Sequence, residues 1–157
     1  MTEIIQNKII QELKELKLVG FRVLCPGDQY LVEIPKASLI LAERIGEIKQ
    51  VVNPNIQIGA FVVENQTPDE DGYWVSVEVK EYEDVPIDMV TLTIPPQRYA
   101  ALRHVGSNSK IIEAYNDLHK WAEDNNYVRL KNKWHLERFY EWKDTEKVDV
   151  DLLDTIE

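Results

Sequence analysis

The sequence predicts an α+β domain: two β-α-β-β units related by approximate twofold pseudo-symmetry, their strands in one antiparallel sheet with both long helices on one side. Three observations carry this. The chain is divided by Pro95-Pro96, a pair that cannot sit inside a central strand. On either side of the break the elements read in the same order, without evident sequence identity between the halves. Each half has one stretch of helical apolar spacing among stretches of extended character. At 157 residues, 44 % of them hydrophobic and 29 % charged, the chain can fill one domain core or two small repeats sharing a core. The expected layout is an N-terminal amphipathic helix over residues 1–17 and a single domain over 18–157, with repeats at about 18–80 and 97–157.

Each element has a local reason. Over residues 3–16, Ile4, Ile5, Ile9, Ile10, Leu13 and Leu16 share one helical stripe, with Lys and Glu elsewhere, which reads as a helix docked on the domain or on a partner. Residues 18–24 read as a strand stopped by the turn residues Pro26-Gly27-Asp28. From Pro35, tolerated in a first turn, Leu39, Leu41, Ala42, Ile45 and Ile48 give a helix to about residue 51, weakened by Gly46. Asn53-Pro54-Asn55 breaks the chain before a strand at 56–63. An Asp71-Gly72 turn then leads to the alternating strand at 73–79. Residues 90–94 are extended up to the proline pair. The second unit repeats the order, with a strand at 99–104, a turn at 106–109 with Ser and Asn caps, a helix from Ile111 to about Asn125, and strands at 134–142 and 148–152.

Composition excludes several kinds of chemistry. The net charge of −10 opposes direct nucleic-acid binding, which rests on clustered Lys and Arg. No apolar run approaches the ~18 residues of a membrane span, and charges at Glu3, Lys8, Glu12, Lys14 and Glu15 rule out a signal-peptide core, so a cytoplasmic address is expected. One Cys and three scattered His leave no internal disulfide and little for a metal site, and no cofactor motif is present. Thr67, Asp69, Asp71, Gly72 and Glu78 match positions of a calcium loop, but Pro68 and the period-two pattern that follows favour a hairpin. His104 near Ser107 is not a triad, and Cys25 reads as a strand-end packing residue. Nothing in the residues sets an oligomeric state.

The densest chemistry lies in residues 134–142. Side chains alternate on a strand, so Trp134, Leu136, Arg138, Tyr140 and Trp142 should share one face and His135, Glu137, Phe139 and Glu141 the other. A carboxylate beside aromatic rings suits a delocalised cation. Glu137 is therefore the counter-charge of a ligand, or is paired internally with Arg138 or Arg103 as the candidate partners, or lies on a solvated edge.

The runs Met89-Val90-Thr91-Leu92-Thr93-Ile94-Pro95, Arg98-Tyr99-Ala100, His104-Val105-Gly106, Ala114-Tyr115 with Trp121, and Leu136-Glu137-Arg138-Phe139 together resemble the GyrI-like family, the effector-binding domain of AraC- and MerR-type bacterial regulators. The likeness is greatest to its stand-alone and integron-cassette members. Leu18-Val19-Gly20, Asp71-Gly72-Tyr73 and Val77-Glu78-Val79 agree with it in the first half. The resemblance implies a tandem β-α-β-β fold enclosing a cleft for hydrophobic, often cationic molecules, as in multidrug binding, with Glu137 at the family's acidic position and Phe139 at its aromatic one. Phe139 replaces the usual Tyr, Ser76 stands where Gly is common, and a terminal Ile-Pro is lacking. Tyr99, Tyr115, Trp74 and Trp121 complete the expected ligand site. The leading expectation is a small-molecule-binding domain for an amphipathic or cationic compound, without a DNA-binding module of its own. A hydrolase using the same cleft, or a module binding a protein partner as the gyrase inhibitor does, are the alternatives the resemblance implies.

Overall fold

The computed structural model describes residues 8–157. Eight strands and two helices follow one another as β1 (Lys8–Leu13), β2 (Leu16–Val23), α1 (Tyr30–Glu43), β3 (Gln57–Val62), β4 (Tyr73–Val79), β5 (Val90–Ile94), β6 (Gln97–Gly106), α2 (Ile111–Asp124), β7 (Trp134–Glu141) and β8 (Val148–Ile156). All pairings are antiparallel, in one sheet of order β1-β6-β8-β7-β3-β4-β2-β5. The units β2-α1-β3-β4 and β6-α2-β7-β8 meet where β3 pairs β7, and the order on either side of that seam is mirrored, as twofold pseudo-symmetry requires. The edge strands are exchanged. β1 leads into β2 yet pairs β6, and β5 leads into β6 yet pairs β2, so each unit's first strand is covered by a strand attached to the other unit.

Strand pairing fixes which side chains share a face. Phe21, Val75, Gly59, Glu137, Leu152 and Leu102 lie across one another and point to a single side of the sheet. That side carries both helices. α1 buries Leu41 against Val19, Val75 and Val77, and α2 buries Leu118 and Ala122 against Ala100, Leu102, Val150 and Leu152. The opposite side closes on itself around Leu18, Ile58, Trp74, Ile94, Tyr99, Leu136 and Leu153, all buried without a helix. α1 lies over β2 and β4 and α2 over β6 and β8, so that neither helix is centred over β3 and β7.

Two elements differ from expectation. The helix expected over residues 1–17 is strand β1 across Lys8–Leu13, and residues 1–7 lie outside the described part. The free edge of β6 decides this. Pairing there puts Ile10 on the α2 side and Leu13 in the opposite core, splitting the helical stripe between two faces. α1 begins at Tyr30, five residues before Pro35, and stops at Glu43, where the Arg44 N–H bonds the Ile40 and Leu41 carbonyls. Pro35 thus lies inside the helix and leaves the Leu31 carbonyl without its i+4 donor. Leu31 is 81 % exposed, so water can satisfy that oxygen.

Candidate functional site

Glu137 projects from the middle of β7 into the strip between the two helices, with Gly59 of β3 directly opposite. Each carboxylate oxygen accepts one phenolic hydrogen bond: Tyr73 Oη donates to Oε1 at 2.5 Å and Tyr115 Oη donates to Oε2 at 2.5 Å. Tyr73 comes from β4 and Tyr115 from α2, so the two units both contribute. Among the described residues no Lys, Arg or His pairs with Glu137. Arg138 faces the other side of the sheet and contacts Asp151 at 3.4 Å, and Arg103 is held by Asp149 at 2.7 and 2.8 Å. Burial pushes the Glu137 carboxyl above the usual carboxylate range, and the bonds from Tyr115 and Tyr73 pull it back only in part. Burial and the adjacent carboxylate hold both phenols well above their ordinary value, so they stay protonated and donate.

Tyr73 opens onto a cleft of about 240 Å³. Its α1 wall is Ile34, Pro35, Ser38 and Leu39, its floor Gln57, Gly59 and Val75, and its far wall Phe139, Trp142 and Val148, with Lys143 also on the lining. The Tyr73 ring crosses Gly59 to reach Glu137: a Cβ built on Gly59 would stand 1.7 Å from the Tyr73 hydroxyl. Tyr73 is placed by the turn before it, where Gly72 adopts φ +105° against the Val23 carbonyl. The buried Gln57 donates from Nε2 to the Ser38 carbonyl at 2.9 Å, tying β3 to α1 and directing its amide toward the cleft.

Behind Glu137 a polar cluster anchors the far end of the strip. Asp154, 1 % exposed, faces His135 Nδ1 at 2.9 Å and accepts two bonds from Arg129, at 2.6 Å from Nε and 3.2 Å from Nη2. Burial acts to raise the Asp154 carboxyl, but the bonds from His135 and Arg129 outweigh it and hold the group below its ordinary value. Phe61 links the two parts, stacked on Tyr73 at 5.9 Å and on His135 at 5.9 Å.

Of the residues singled out from sequence, Glu137, Phe139 and Tyr115 come together here. Tyr99 and Trp74 point to the opposite side of the sheet: Tyr99 is fully buried and bonded through its hydroxyl to Gln97, and Trp74 packs edge-on against Trp134 at 5.0 Å. Strand parity puts them there. Trp121 packs beside Tyr127 in the core under α2. Tyr73, Gln57 and Gly59 were not singled out, because their roles arise only from β3 lying between β4 and β7. Trp142 lines the cleft with Phe139, against the simple alternation, since the β7–β8 register shifts between Phe139 and Glu141 and the strand ends at Glu141. Among the described residues no three His, Cys, Asp or Glu gather to hold a metal ion, and no helix is long and apolar enough to cross a membrane.

Comparison with known proteins follows the same lines. The structure of SAV2435 bound to tetraphenylphosphonium superposes with a TM-score of 0.69 at 16 % identity, over 96 % of this chain and 93 % of that one. EcmrR, in the structure of an EcmrR–DNA complex in EcmrR-RPo, gives a TM-score of 0.69 at 16 % identity over 96 % of this chain, which spans only 57 % of EcmrR. An integron cassette protein of Vibrio cholerae gives 0.56 at 12 % identity, over 97 % of both chains. At these identities the likeness is one of fold. No curated protein matches the sequence. A model of the GyrI-like small molecule binding domain matches residues 7–153, and the chain belongs to that family.

Proposed function

We propose that this domain captures an amphipathic cation in the cleft beside α1, with Glu137 as the counter-charge, and serves as an effector-binding domain. The observation that carries the reading is the Glu137 carboxylate itself: held between two phenol donors, directly behind Tyr73 of the apolar cleft's lining, it has no cationic partner among the described residues. A desolvated carboxylate favours a positive charge, and the rings of Tyr73, Phe139 and Trp142 favour the same ligand through their faces. The binding of tetraphenylphosphonium by SAV2435, a protein of the same fold, supports a positively charged, aromatic ligand, with no bearing on whether that charge carries N–H donors.

The test is a calorimetric titration with 1-naphthylmethylammonium and with the neutral 1-naphthylmethanol. A charge-assisted contact contributes about 1.5–3 kcal/mol, so Glu137→Gln is expected to weaken the cation roughly ten- to a hundredfold and the neutral compound far less. Equal weakening of both, with the fold intact by thermal melt, would defeat the proposal.

A further inference from the structure

The polar atoms at the inner end of the cleft have a common sense. Tyr73 spends its only proton on Glu137, so its oxygen, set over the cleft residue Gly59, has only lone pairs left to offer. Gln57 commits Nε2 to the Ser38 carbonyl, and Oε1 has no partner among the described residues. Tyr73 Oη lies over Gly59, and Gln57 is two residues along the same face of β3, with its Cα about 7 Å from that of Gly59 at strand rise and its side chain on the cleft lining. Both are acceptors. The carboxylate is screened from the cleft by the Tyr73 hydroxyl, and its charge reaches a ligand through that hydroxyl, which hydrogen bonding to an anion makes a stronger acceptor. On the same lining the Lys143 ammonium sits 5.6 Å over the Trp142 ring and forms no ion pair among the described residues.

We infer that the inner end of the cleft is built for an N–H-bearing monocation, such as a protonated amine, amidinium or guanidinium, that donates to Tyr73 Oη and Gln57 Oε1, and not for a quaternary cation. This rests on the cation reading above and narrows it. A quaternary ammonium keeps the Coulomb attraction but leaves both acceptors desolvated and unpaired, which costs more than the lost bonds themselves. A dication would bring its second charge against Lys143.

The experiment adds N,N,N-trimethyl-1-naphthylmethylammonium to the pair used above, so that charge and ring are held constant while the N–H donors are removed. Wild-type protein is expected to bind the primary ammonium at least about tenfold more tightly, the loss of two hydrogen bonds at roughly two- to tenfold each. Gln57→Met, which keeps length and removes the acceptor, should cut that preference severalfold by weakening the primary ammonium alone. Equal or tighter binding of the trimethyl compound would overturn the inference while leaving the cation reading in place. Failure of either cation to outbind 1-naphthylmethanol would overturn both. The wild-type comparison needs no variant, so a Gln57→Met protein that fails to fold does not blunt the test.

Discussion

Tyr73 and Glu137 are joined by a 2.5 Å hydrogen bond although they belong to strands that do not pair, with the whole of β3 between them. Gly59 makes the crossing possible, because any side chain at that point of β3 would occupy the path of the Tyr73 ring. The link ties the two repeats at the seam of the sheet and sets what faces the cleft.

Gly59→Ala is therefore expected to displace Tyr73 and break its bond to Glu137. The added methyl would stand 1.7 Å from the hydroxyl and 2.4 Å from Cζ, so the ring must swing away. Overpacking of this kind costs about 1–3 kcal/mol, small enough for the fold to survive. A lowered melting temperature together with altered cation affinity is expected; an unchanged melt and an unchanged affinity would show that Tyr73 does not occupy this position.

Burial raises the folded-state pKa of Glu137, and this gives stability a definite pH dependence. Below the unfolded value of about 4.3 the carboxyl is protonated in both states and folding is not penalised. As pH rises toward the folded pKa, the unfolded chain releases its proton first and the folded state loses stability relative to it. Above both values the loss is complete. Glu137→Gln should then be more stable than wild type at neutral pH, with an advantage that shrinks as pH falls below the folded pKa. Denaturant melts of both proteins between acid and neutral pH measure the difference.

Tyr115→Phe removes one of the two bonds that counter burial, and of the two it is the stronger influence on Glu137. The carboxyl should ionise at a still higher pH, and cation binding, which needs the ionised form, should shift its midpoint the same way. Affinity for 1-naphthylmethylammonium measured across pH would show the shift; an unmoved midpoint would mean that Tyr115 does not bond Glu137.

Asp154→Asn tests the cluster behind the site. It leaves Arg129 and His135 without their shared carboxylate in a buried setting, and breaking a buried pair costs about 3–5 kcal/mol. The depressed carboxyl of Asp154 supplies stability above its unfolded pKa and loses it as pH falls through the folded value. The wild-type advantage over the variant should thus shrink in acid, which denaturant unfolding at neutral and acidic pH would show.

Much was legible from local sequence because local rules sufficed. The period-two run of β4, the Asp71-Gly72 turn, the Ser107 cap accepting from the Ser109 N–H, and the apolar stripe of α2 ending near Asn125 each follow from residues within a few positions of one another. The alternation along β7 likewise placed Glu137 and Phe139 on one face before any partner was known. Tertiary structure decided the rest. Ile9, Ile10 and Leu13 suit a helical stripe and an edge strand equally well, and the unpaired edge of β6, almost ninety residues on, settled the matter by supplying hydrogen bonds that a solitary helix would not use. Tyr99 and Trp74 carry the same aromatic surface as Tyr73 and Tyr115, but strand register sends them to the opposite side of the sheet. The acceptor-lined end of the cleft depends on β3 falling between β4 and β7, a long-range pairing that no spacing along the chain encodes. Residue types and their alternation are local properties of the chain, whereas the company a side chain keeps is set by which distant strands pair and in what register.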